Sequence, residues 1–573
     1  MSSLAKLKAA ASLKDLADLL GFKPSKLSYI VYHIHTSAKY TEFEIPKRSG
    51  GKRKIKAPEP RLKTLQRRLA NLLYLCVAEI ERTPPVRKPL SHGFSRSRSI
   101  ITNASRHRKR RFVFNIDIQD FFPSINFGRV RGFFLKDNNF TLHPSVATVI
   151  AQIACHNNEL PQGSPCSPVI SNLVGNLLDN RLVGIAKANK CTYSRYADDI
   201  TFSTSQSTFP AAIAMPDASA TGGWQVGPAL SAGVYRSGFK INSLKTRMQV
   251  RGSRQLTTGL LVNEKPNIRP EYYRTVRSMC AALFTSGSYY QLVPATMCGG
   301  TTKDAPTKAL TTSLAPLEGM LSHIYQVRNS VDQRSSTEKK KAPTATRKLY
   351  QRFLHYKNFV ALERPLLVTE GKTDQIYLRA AIEKLPAFHP RLGSFSGGKF
   401  NLAVRFMKYT TTLHDVLQLG GGSGDLKFLM LHHKEMLERF KHAPLLNPVI
   451  LVIDNDDGAN EIFGVAKQIC GSTISHSSTD PFYKIHKNLY LIKTPSLTAK
   501  PKTCIEDLFD ISVRSILIDG KGFDPNKKHG DDTKYGKARF AEKIVQPNKD
   551  KIDFSAFDSI LDGIVGAIDD YAP

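Results

Sequence analysis

The sequence predicts two successive domains that mix strands and helices, a basic first domain and a neutral second domain of α/β type. Residues 1–365 hold 55 Lys and Arg against 22 Asp and Glu, whereas residues 366–573 hold 27 against 26. In both parts, apolar strands end in acidic residues. In the second part each such strand is followed by a helix, a pattern typical of α/β domains, whose sites gather at the carboxyl ends of strands.

Composition excludes several classes of protein. The net charge of +34 predicts a polyanionic partner, most simply nucleic acid. The sequence contains no run of 18 apolar residues, so no membrane span is predicted. The apolar residues of 1–20 have the spacing of an amphipathic helix and not the pattern of a signal peptide. The eight cysteines form no Cys-x-x-Cys pair, so neither a zinc site nor a disulfide framework is indicated. We therefore expect a cytoplasmic protein.

Three acids in the basic half form the first candidate site. Asp117 ends the apolar strand 111–118, which is predicted to be buried. Asp198-Asp199 lies between β-forming residues in the stretch 191–202, a pattern that predicts a tight hairpin. A solvated Asp-Asp turn is the simpler reading of that dipeptide. However, adjacent carboxylates repel each other unless a divalent cation lies between them. Three carboxylates can hold two metal ions about 3.5–4 Å apart, as nucleotidyl transfer requires.

Several motifs occur in an order that resembles the palm of a reverse transcriptase. They are Asp117 with Phe122, Pro161-Gln162-Gly163-Ser164-Pro165, Tyr196-Ala197-Asp198-Asp199, and Gly238-Phe239-Lys240-Ile241-Asn242 followed by Lys245-Thr246. The resemblance implies an α+β right-hand polymerase, with fingers and palm over 1–264 and a thumb over 265–345. The basic turn 47–54 would belong to a fingers hairpin that closes on phosphate. Helical spacing predicts a helix over 61–79, with an apolar stripe of leucines from Leu62 to Leu73, and a second helix near 167–188.

The resemblance also implies roles for individual residues. Asp117, Asp198 and Asp199 would be catalytic and would bind two Mg²⁺. Phe122 would exclude a ribose 2′-OH, although a core aromatic is the alternative. The dNTP and template path would be lined by Gln162 and Gly163, with Arg53 at the triphosphate and Lys245 near the leaving group. Arg53 and Lys245 could instead be ordinary solvated charges.

Two further elements resemble those of retron reverse transcriptases. Asn103-Ala104-Ser105-Arg106-His107 matches an Asn-Ala-x-x-His element, and Thr257-Thr258-Gly259 stands where Val-Thr-Gly is usual. The resemblance implies that Asn103, His107, Thr257, Thr258 and Gly259 bind RNA. The enzyme would use a structured noncoding RNA, prime from an RNA 2′-OH and make branched RNA-linked DNA (msDNA). A loop with a helix cap is the alternative for Asn103 and His107.

The neutral half contains the second candidate site. Glu370 follows one apolar strand, and Asp454 and Asp456 follow another, a pattern that resembles a Toprim domain. The resemblance implies that these three acids are catalytic and bind one or two Mg²⁺, with Glu506 as a further ligand. No tyrosine is identifiable as a topoisomerase nucleophile, which favours a nuclease. The predicted bounds are 346–364 for a linker and 365–573 for the Toprim domain with a C-terminal extension.

The whole chain thus resembles a retron reverse transcriptase fused to a Toprim effector, a combination that implies antiphage defence. Its partners would be the cognate RNA and its msDNA, dNTPs and a nucleic-acid target of the Toprim domain, with no membrane. Whether that target is DNA or RNA, and whether the chain forms a homo-oligomer, stay open. The alternatives are another bacterial reverse transcriptase, of the intron type with an accessory DNA-processing domain, and a non-enzymatic nucleic-acid scaffold.

Overall fold

The chain forms two compact units. The computed structural model describes residues 1–46, 51–84, 90–217, 223–293, 307–498, 500–527 and 530–571. Unit 1 comprises 1–273, 292–308 and 326–333, and unit 2 comprises 274–291, 309–325 and 334–573. Among the described residues, no helix is both long enough and apolar enough to cross a membrane.

Unit 1 is built around an antiparallel sheet. Its helices are α1 (Ser3–Ala9), α2 (Leu13–Leu19), α3 (Pro24–Ser28), α4 (Pro60–Arg82), α5 (Ile100–Ser105), α6 (Phe127–Lys136), α7 (Pro144–Ala154), α8 (Ser167–Ala188) and α9 (Pro228–Tyr235). Its strands are β1 (Tyr40–Pro46), β2 (Lys52–Pro58), β3 (Phe112–Gln119), β4 (Thr192–Tyr196), β5 (Asp199–Thr204), β6 (Ala214–Pro216), β7 (Trp224–Val226), β8 (Lys240–Ile241), β9 (Arg247–Val250), β10 (Leu256–Thr257) and β11 (Leu260–Leu261).

Strand β3 is the centre of that sheet. On one side it pairs with β5, which pairs in turn with β4, and on the other side it pairs with β9 and then β8. Val113, Phe114, Ile116 and Ile118 are all buried, because the core covers both faces of the strand. The sequence prediction of a buried strand is therefore confirmed.

The long helices of unit 1 follow from local sequence. In α4, Pro60 stands in the first turn, where its missing N–H costs nothing, and the Glu59 side chain caps the Leu62 N–H at 2.6 Å. The leucines of the predicted stripe, from Leu62 to Leu73, are buried. Helix α8 has the predicted bounds, 167–188.

Unit 2 contains a mostly parallel sheet in the order β17-β14-β18-β20-β19, with only β19 antiparallel. Its strands, including two cut by the unit bounds, are β12 (Tyr289–Val293), β13 (Thr307–Thr311), β14 (Leu366–Thr369), β15 (Gly393–Ser396), β16 (Lys399–Leu402), β17 (Arg405–Phe406), β18 (Val449–Ile453), β19 (Tyr483–His486), β20 (Leu489–Lys493), β21 (Gly522–Phe523) and β22 (Lys534–Tyr535). Strands β14 and β18 are wholly buried, which fits their unbroken apolar sequences.

The helices of unit 2 pack around this sheet and around one another. They are α10 (Pro270–Ser286), α11 (Leu314–Ser330), α12 (Ser336–Lys341), α13 (Ala345–His355), α14 (Lys372–Lys384), α15 (Thr411–Leu417), α16 (Ser423–Glu438), α17 (Ala459–Cys470), α18 (Ile511–Arg514), α19 (Lys537–Arg539), α20 (Gln546–Asn548) and α21 (Asp558–Asp570). Boundaries between the two units fall within α10 and within α11. Helix α21 packs the C-terminal extension onto unit 2, because Ile560, Leu561 and Ile564 belong to the hydrophobic core of that unit.

Two details differ from the sequence predictions. The segment predicted as a linker, 346–364, contains most of α13 and a π-helical turn, and Tyr350, Phe353 and Phe359 in it are buried. Apolar residues at helical spacing drive that burial. Most of the predicted thumb clusters with unit 2. Residues 47–50 of the predicted fingers turn lie outside the described residues.

A buried ion pair in unit 1 provides a test of this fold. We expect Asp179→Leu to lower the stability of unit 1 by about 3–5 kcal/mol, because it leaves the buried Arg195 guanidinium without its carboxylate partner. Trp224 is the only tryptophan and packs on Phe209 in unit 1, so its fluorescence during urea unfolding reports on that unit. The double variant Asp179→Leu with Arg195→Met should regain most of the loss. Equal urea midpoints for the single variant and the wild type would contradict the prediction.

Candidate functional site

The three acids predicted in the basic half meet at one end of the central sheet. Strands β4 and β5 form a hairpin in which Tyr196 pairs with Asp199, and Ala197 takes the left-handed conformation at φ +57°. Asp117 of β3 stands directly opposite Asp199. Side chains opposite each other on neighbouring strands share a face of the sheet. The predicted hairpin is confirmed, and it brings Asp198 and Asp199 to Asp117.

Two acids of this cluster, Asp198 and Asp199, have raised pKa values. Removal from water, together with the charges of Asp198 and Asp117, raises the pKa of Asp199 to about 6, although part of the residue stays accessible. Removal from water and the charge of Asp117 likewise raise the pKa of Asp198. Lys245 lies 2.9 Å from Asp117 Oδ2, and this hydrogen bond raises the pKa of the lysine. The cluster therefore carries excess negative charge that one ammonium group offsets only in part.

This donor set fits a hard divalent cation, because it supplies carboxylate oxygens from two strands and a turn. In the described parts of the chain, no three His, Cys, Asp or Glu side chains already stand in a metal-binding arrangement. Here the Asp117 carboxylate is turned to Lys245, 2.9 Å away, and the carboxylates repel one another. The acids are close enough to share cations, but their side chains would have to reorient.

The predicted nucleotide-binding residues lie around this cluster. The Lys56 N–H of β2 donates to the Gln162 carbonyl at 2.8 Å, so the fingers hairpin rests on the loop that contains Gln162 and Gly163. Gly163 has φ +124°, and a Cβ there would lie 2.5 Å from the Lys56 carbonyl, so only glycine fits. The charge of Arg53, also on β2, offsets part of the rise in the pKa of Asp198.

Phe122 follows strand β3 and lies in an aromatic group. The residue is half-buried, with its ring 5.6 Å from that of Phe121 and 6.0 Å from that of Phe94. Phe94 itself is 38% exposed and has φ +57°, which is unusual for a bulky residue. Phe94 was not foreseen from the sequence. The proposed role of Phe122 against a 2′-OH stays a prediction.

Asn103 and His107 hold helix α5 against the sheet. His107 Nε2 and Nδ1 lie 2.7 Å from the hydroxyls of Ser194 and Ser203, and Ser194 donates to Asn103 Oδ1 at 2.6 Å. Since Ser194 donates to Asn103, it accepts from Nε2–H, and Ser203 donates to Nδ1. Burial lowers the pKa of His107 to about 3. Both side chains are buried, so direct RNA contact does not fit this geometry, and the structure corrects that expectation.

The second RNA-binding element forms the tip of a small hairpin. Thr258 and Gly259, with φ +47° and +82°, connect β10 to β11. Thr257 is buried, which corrects the expectation of an RNA contact from its side chain, whereas Gly259 is exposed. The Thr258 hydroxyl donates to the Ile100 carbonyl at 3.3 Å. The two motifs that resemble retron elements are therefore neighbours in unit 1.

Arg195 is a residue of this site that the sequence analysis missed. Its guanidinium makes two hydrogen bonds to Asp179, at 2.7 and 2.8 Å, and donates to the Ala197 carbonyl at 3.0 Å. Both charged side chains are fully buried. On the other side of the turn, a Cβ on Gly93 would lie 2.6 Å from the Ala197 nitrogen. The turn at Ala197 is thus held from both sides.

Two of the acids predicted in the second half lie on adjacent parallel strands. Strands β14 and β18 pair in the register Thr369 with Val452, so Glu370 and Asp454 leave the sheet side by side. The Asp454 N–H donates to Glu370 Oε2 at 3.4 Å. Burial, followed by the charge of Asp456, raises the pKa of Glu370, and burial raises the pKa of Asp454 to about 7. These three acids form the second cluster.

Glu506 joins the second cluster through a lysine. Lys537 Nζ lies 3.0 Å from Glu506 Oε2 and 3.4 Å from Asp454 Oδ2. The Ile505 N–H also donates to Asp454 Oδ1 at 2.8 Å. Glu506 is thus brought to the site but is paired with an ammonium group, which makes it a weaker candidate ligand than Glu370 or Asp456. Nothing in the sequence around Lys537 pointed to this contact.

Comparisons with known proteins cover the first half of the chain. Residues 45–266 match the family model for reverse transcriptase (RNA-dependent DNA polymerase). The chain is 35% identical to the retron Mx65 reverse transcriptase of Myxococcus xanthus, over 46% of this chain and 63% of that protein. It is 36% identical to the retron Mx162 reverse transcriptase of the same organism, over 44% of this chain and 53% of that protein.

A third relative, the retron Ec86 reverse transcriptase of Escherichia coli, is 33% identical over 35% of this chain and 58% of that protein. The chain therefore spans less than two thirds of the length of these relatives. A telomerase structure from Candida tropicalis aligns only loosely, with a TM-score of 0.28 and 13% identity over 43% of this chain and 61% of that one. Residues 45–266 thus match the reverse transcriptase family model, and the chain is similar over part of its length to retron reverse transcriptases.

Proposed function

We propose that unit 1 is an RNA-directed DNA polymerase of the retron type, which copies a cognate structured RNA into msDNA. The observation that carries this proposal is the meeting of Asp117, Asp198 and Asp199 at one sheet end inside the matched region 45–266. Three mutually repelling carboxylates in a basic unit suit phosphoryl transfer from dNTPs.

Each part of the site has a role in that reaction. Two bound Mg²⁺ would activate the attacking hydroxyl and stabilise the pyrophosphate that leaves. Asp117, Asp198 and Asp199 hold the ions. Arg53 and Lys245 bind phosphate oxygens of the dNTP, and Phe122 limits space beside the sugar. The Ala197 turn, held by Arg195, keeps Asp198 in position. By the retron resemblance, the first attacking group is an RNA 2′-OH.

We further propose that unit 2 is a Mg²⁺-dependent Toprim nuclease with a role in antiphage defence, restrained by the RNA–DNA product. Its support is the placement of Glu370 beside Asp454 at the carboxyl ends of adjacent parallel strands, with Asp456 in the following turn. Glu370, whose pKa is raised, is placed to exchange a proton with water or a leaving group. Lys537 offsets the charge of Asp454 and Glu506.

Loss of one polymerase acid tests the first proposal. Asp198→Asn should reduce primer extension on an RNA template at least about a hundredfold, because it removes a metal-binding charge worth several kcal/mol in the transition state. Asp137→Asn, on a carboxylate at the end of α6, is the matched control and should extend normally. Extension by Asp198→Asn at the wild-type rate would refute the assignment.

The raised pKa of Asp199 predicts a pH dependence of metal use. Protons compete with metal ions for a carboxylate, and Asp199 is increasingly protonated as the pH falls through about 6. The Mg²⁺ concentration for half-maximal extension should therefore rise up to about tenfold for each pH unit below 6. Metal-free binding of primer–template, measured at the same pH values, separates this effect from loss of the substrate complex. A constant half-saturating concentration between pH 7.5 and 5.5 would contradict it.

Variants of unit 2 test whether the proposed polymerase and effector activities reside in separate sites. Glu370→Ala and Asp454→Ala should abolish toxicity or defence and leave cDNA synthesis intact. Asp457→Asn is the control, because Asp457 lies in the same turn but is exposed and paired with Lys502. Concurrent loss of cDNA synthesis in Glu370→Ala and Asp454→Ala would show that the two sites are not separate.

A further inference from the structure

Three exposed rings and a guanidinium group form a layer on the surface of unit 1, which we call the Tyr29 platform (Tyr29, Tyr32, His33 and Arg61). Tyr29 is 48% exposed and Tyr32 is 51% exposed. The rings of Tyr29 and His33 are stacked, with centroids 6.1 Å apart and planes 14° apart. The Arg61 guanidinium lies 5.4 Å from the centroid of the Tyr29 ring. Tyrosine and histidine are intermediate in burial, so a single exposed ring is ordinary, but several exposed rings grouped on one surface are informative.

The backbone explains why these side chains face outward. Residues 29–33 form a single π-helical turn, closed by the Ile34 N–H donating to the Tyr29 carbonyl at 3.1 Å. Ile30, Val31 and Ile34 are buried against the core and leave the other side chains of the turn outside. Tyr29 and His33, four residues apart, then lie on one face. Such π turns are frequent at functional sites.

The surroundings of the platform are positive. Residues 19–41 and 60–78 contain no Asp or Glu. Lys26 precedes the platform, and Lys63 and Arg67 follow Arg61 on the exposed face of α4. Glu59 lies 3.2 Å from Arg61 Nε, and its side chain also caps α4. Aromatic faces within a positive field suit a partner with flat rings and a negative backbone.

The platform belongs to the segment that also approaches the polymerase acids. Strand β2 presents Arg53 to Asp198 and continues directly into α4, whose second residue is Arg61. The Tyr32 hydroxyl donates to Gln152 of α7 at 2.9 Å, which fixes the turn to the body of unit 1. The platform is therefore joined through α4 and β2 to the hairpin that carries Arg53, and through Tyr32 to the body of unit 1.

We propose that the Tyr29 platform binds unpaired nucleotides of the template strand ahead of the polymerase site. Bases stack on Tyr29 and Tyr32, and Arg61, Lys63 and Arg67 contact the phosphates. Stacking uses the π face that every base has, so the platform accepts any sequence. This role rests on the proposed polymerase function, because it assumes a template that is paired at the acids and single-stranded before them.

The experiment compares two primer–template hybrids that differ only in the length of the template 5′ overhang. One overhang has a single nucleotide and the other has about ten, a length within the range that single-strand binding sites cover. Affinity is measured by anisotropy of a labelled primer, with the full chain and without dNTPs. The wild type should bind the long overhang more tightly. Tyr29→Ala with Tyr32→Ala should weaken only that binding, by about tenfold. Tyr29→Trp keeps a stacking face and should retain it.

Tyr235→Ala is the matched control, because Tyr235 is 76% exposed but lies outside the platform. Equal affinity of the wild type for both hybrids, or equal weakening of both by the Tyr29/Tyr32 variant, would overturn the proposal. A change in oligomeric state of that variant by sedimentation would instead identify the platform as a contact between copies and would also overturn it. Extension of the short-overhang hybrid is measured in parallel, so absence of polymerase activity is recognised separately from absence of overhang binding.

Discussion

The buried pair of Arg195 and Asp179 is the interaction on which the first site depends. Taking both charges out of water is costly, and the cost is offset only because the guanidinium makes two hydrogen bonds to the carboxylate and another to Ala197. Tyr193 adds a hydrogen bond to Asp179 at 2.6 Å. The pair ties helix α8 to the hairpin that ends in Asp198. A strained left-handed residue can stand at that turn because its carbonyl and its nitrogen are both confined.

Both acidic clusters bring mutually repelling carboxylates together, but the strands that do so are arranged differently. In unit 1 an antiparallel hairpin and its neighbour bring three acids together, whereas in unit 2 two parallel strands do so. Each cluster includes one lysine, Lys245 or Lys537, within hydrogen-bonding distance of a carboxylate. Burial first, and then the neighbouring carboxylates, keep the pKa values of Asp199 and Asp454 raised despite these lysines. That residual charge is what makes both clusters suited to divalent cations.

The sequence predicted whatever depends on local pattern. The buried strand β3, the helix α8 and the Asp198-Asp199 hairpin follow from apolar runs, helical spacing and turn residues. It did not predict contacts made across long separations. Asn103 and His107 were expected at an RNA surface, but their partners, Ser194 and Ser203, lie more than 80 residues away and bury them. Lys537 reaches Asp454 over a similar separation, and no motif marks it.

Burial of the motif residues bears on the RNA recognition that we propose for unit 1. His107 and Asn103 fix α5 to the sheet, and Thr258 fixes the β10–β11 hairpin to α5. The residues left at the surface there are Gly259 and the basic run that includes Arg108, Lys109 and Arg111. A motif can therefore be required for RNA binding without touching RNA, because it sets the position of the charges that do. Specificity for one RNA would then reside in the shape of this basic surface, since Lys and Arg contacts to phosphate carry no sequence information.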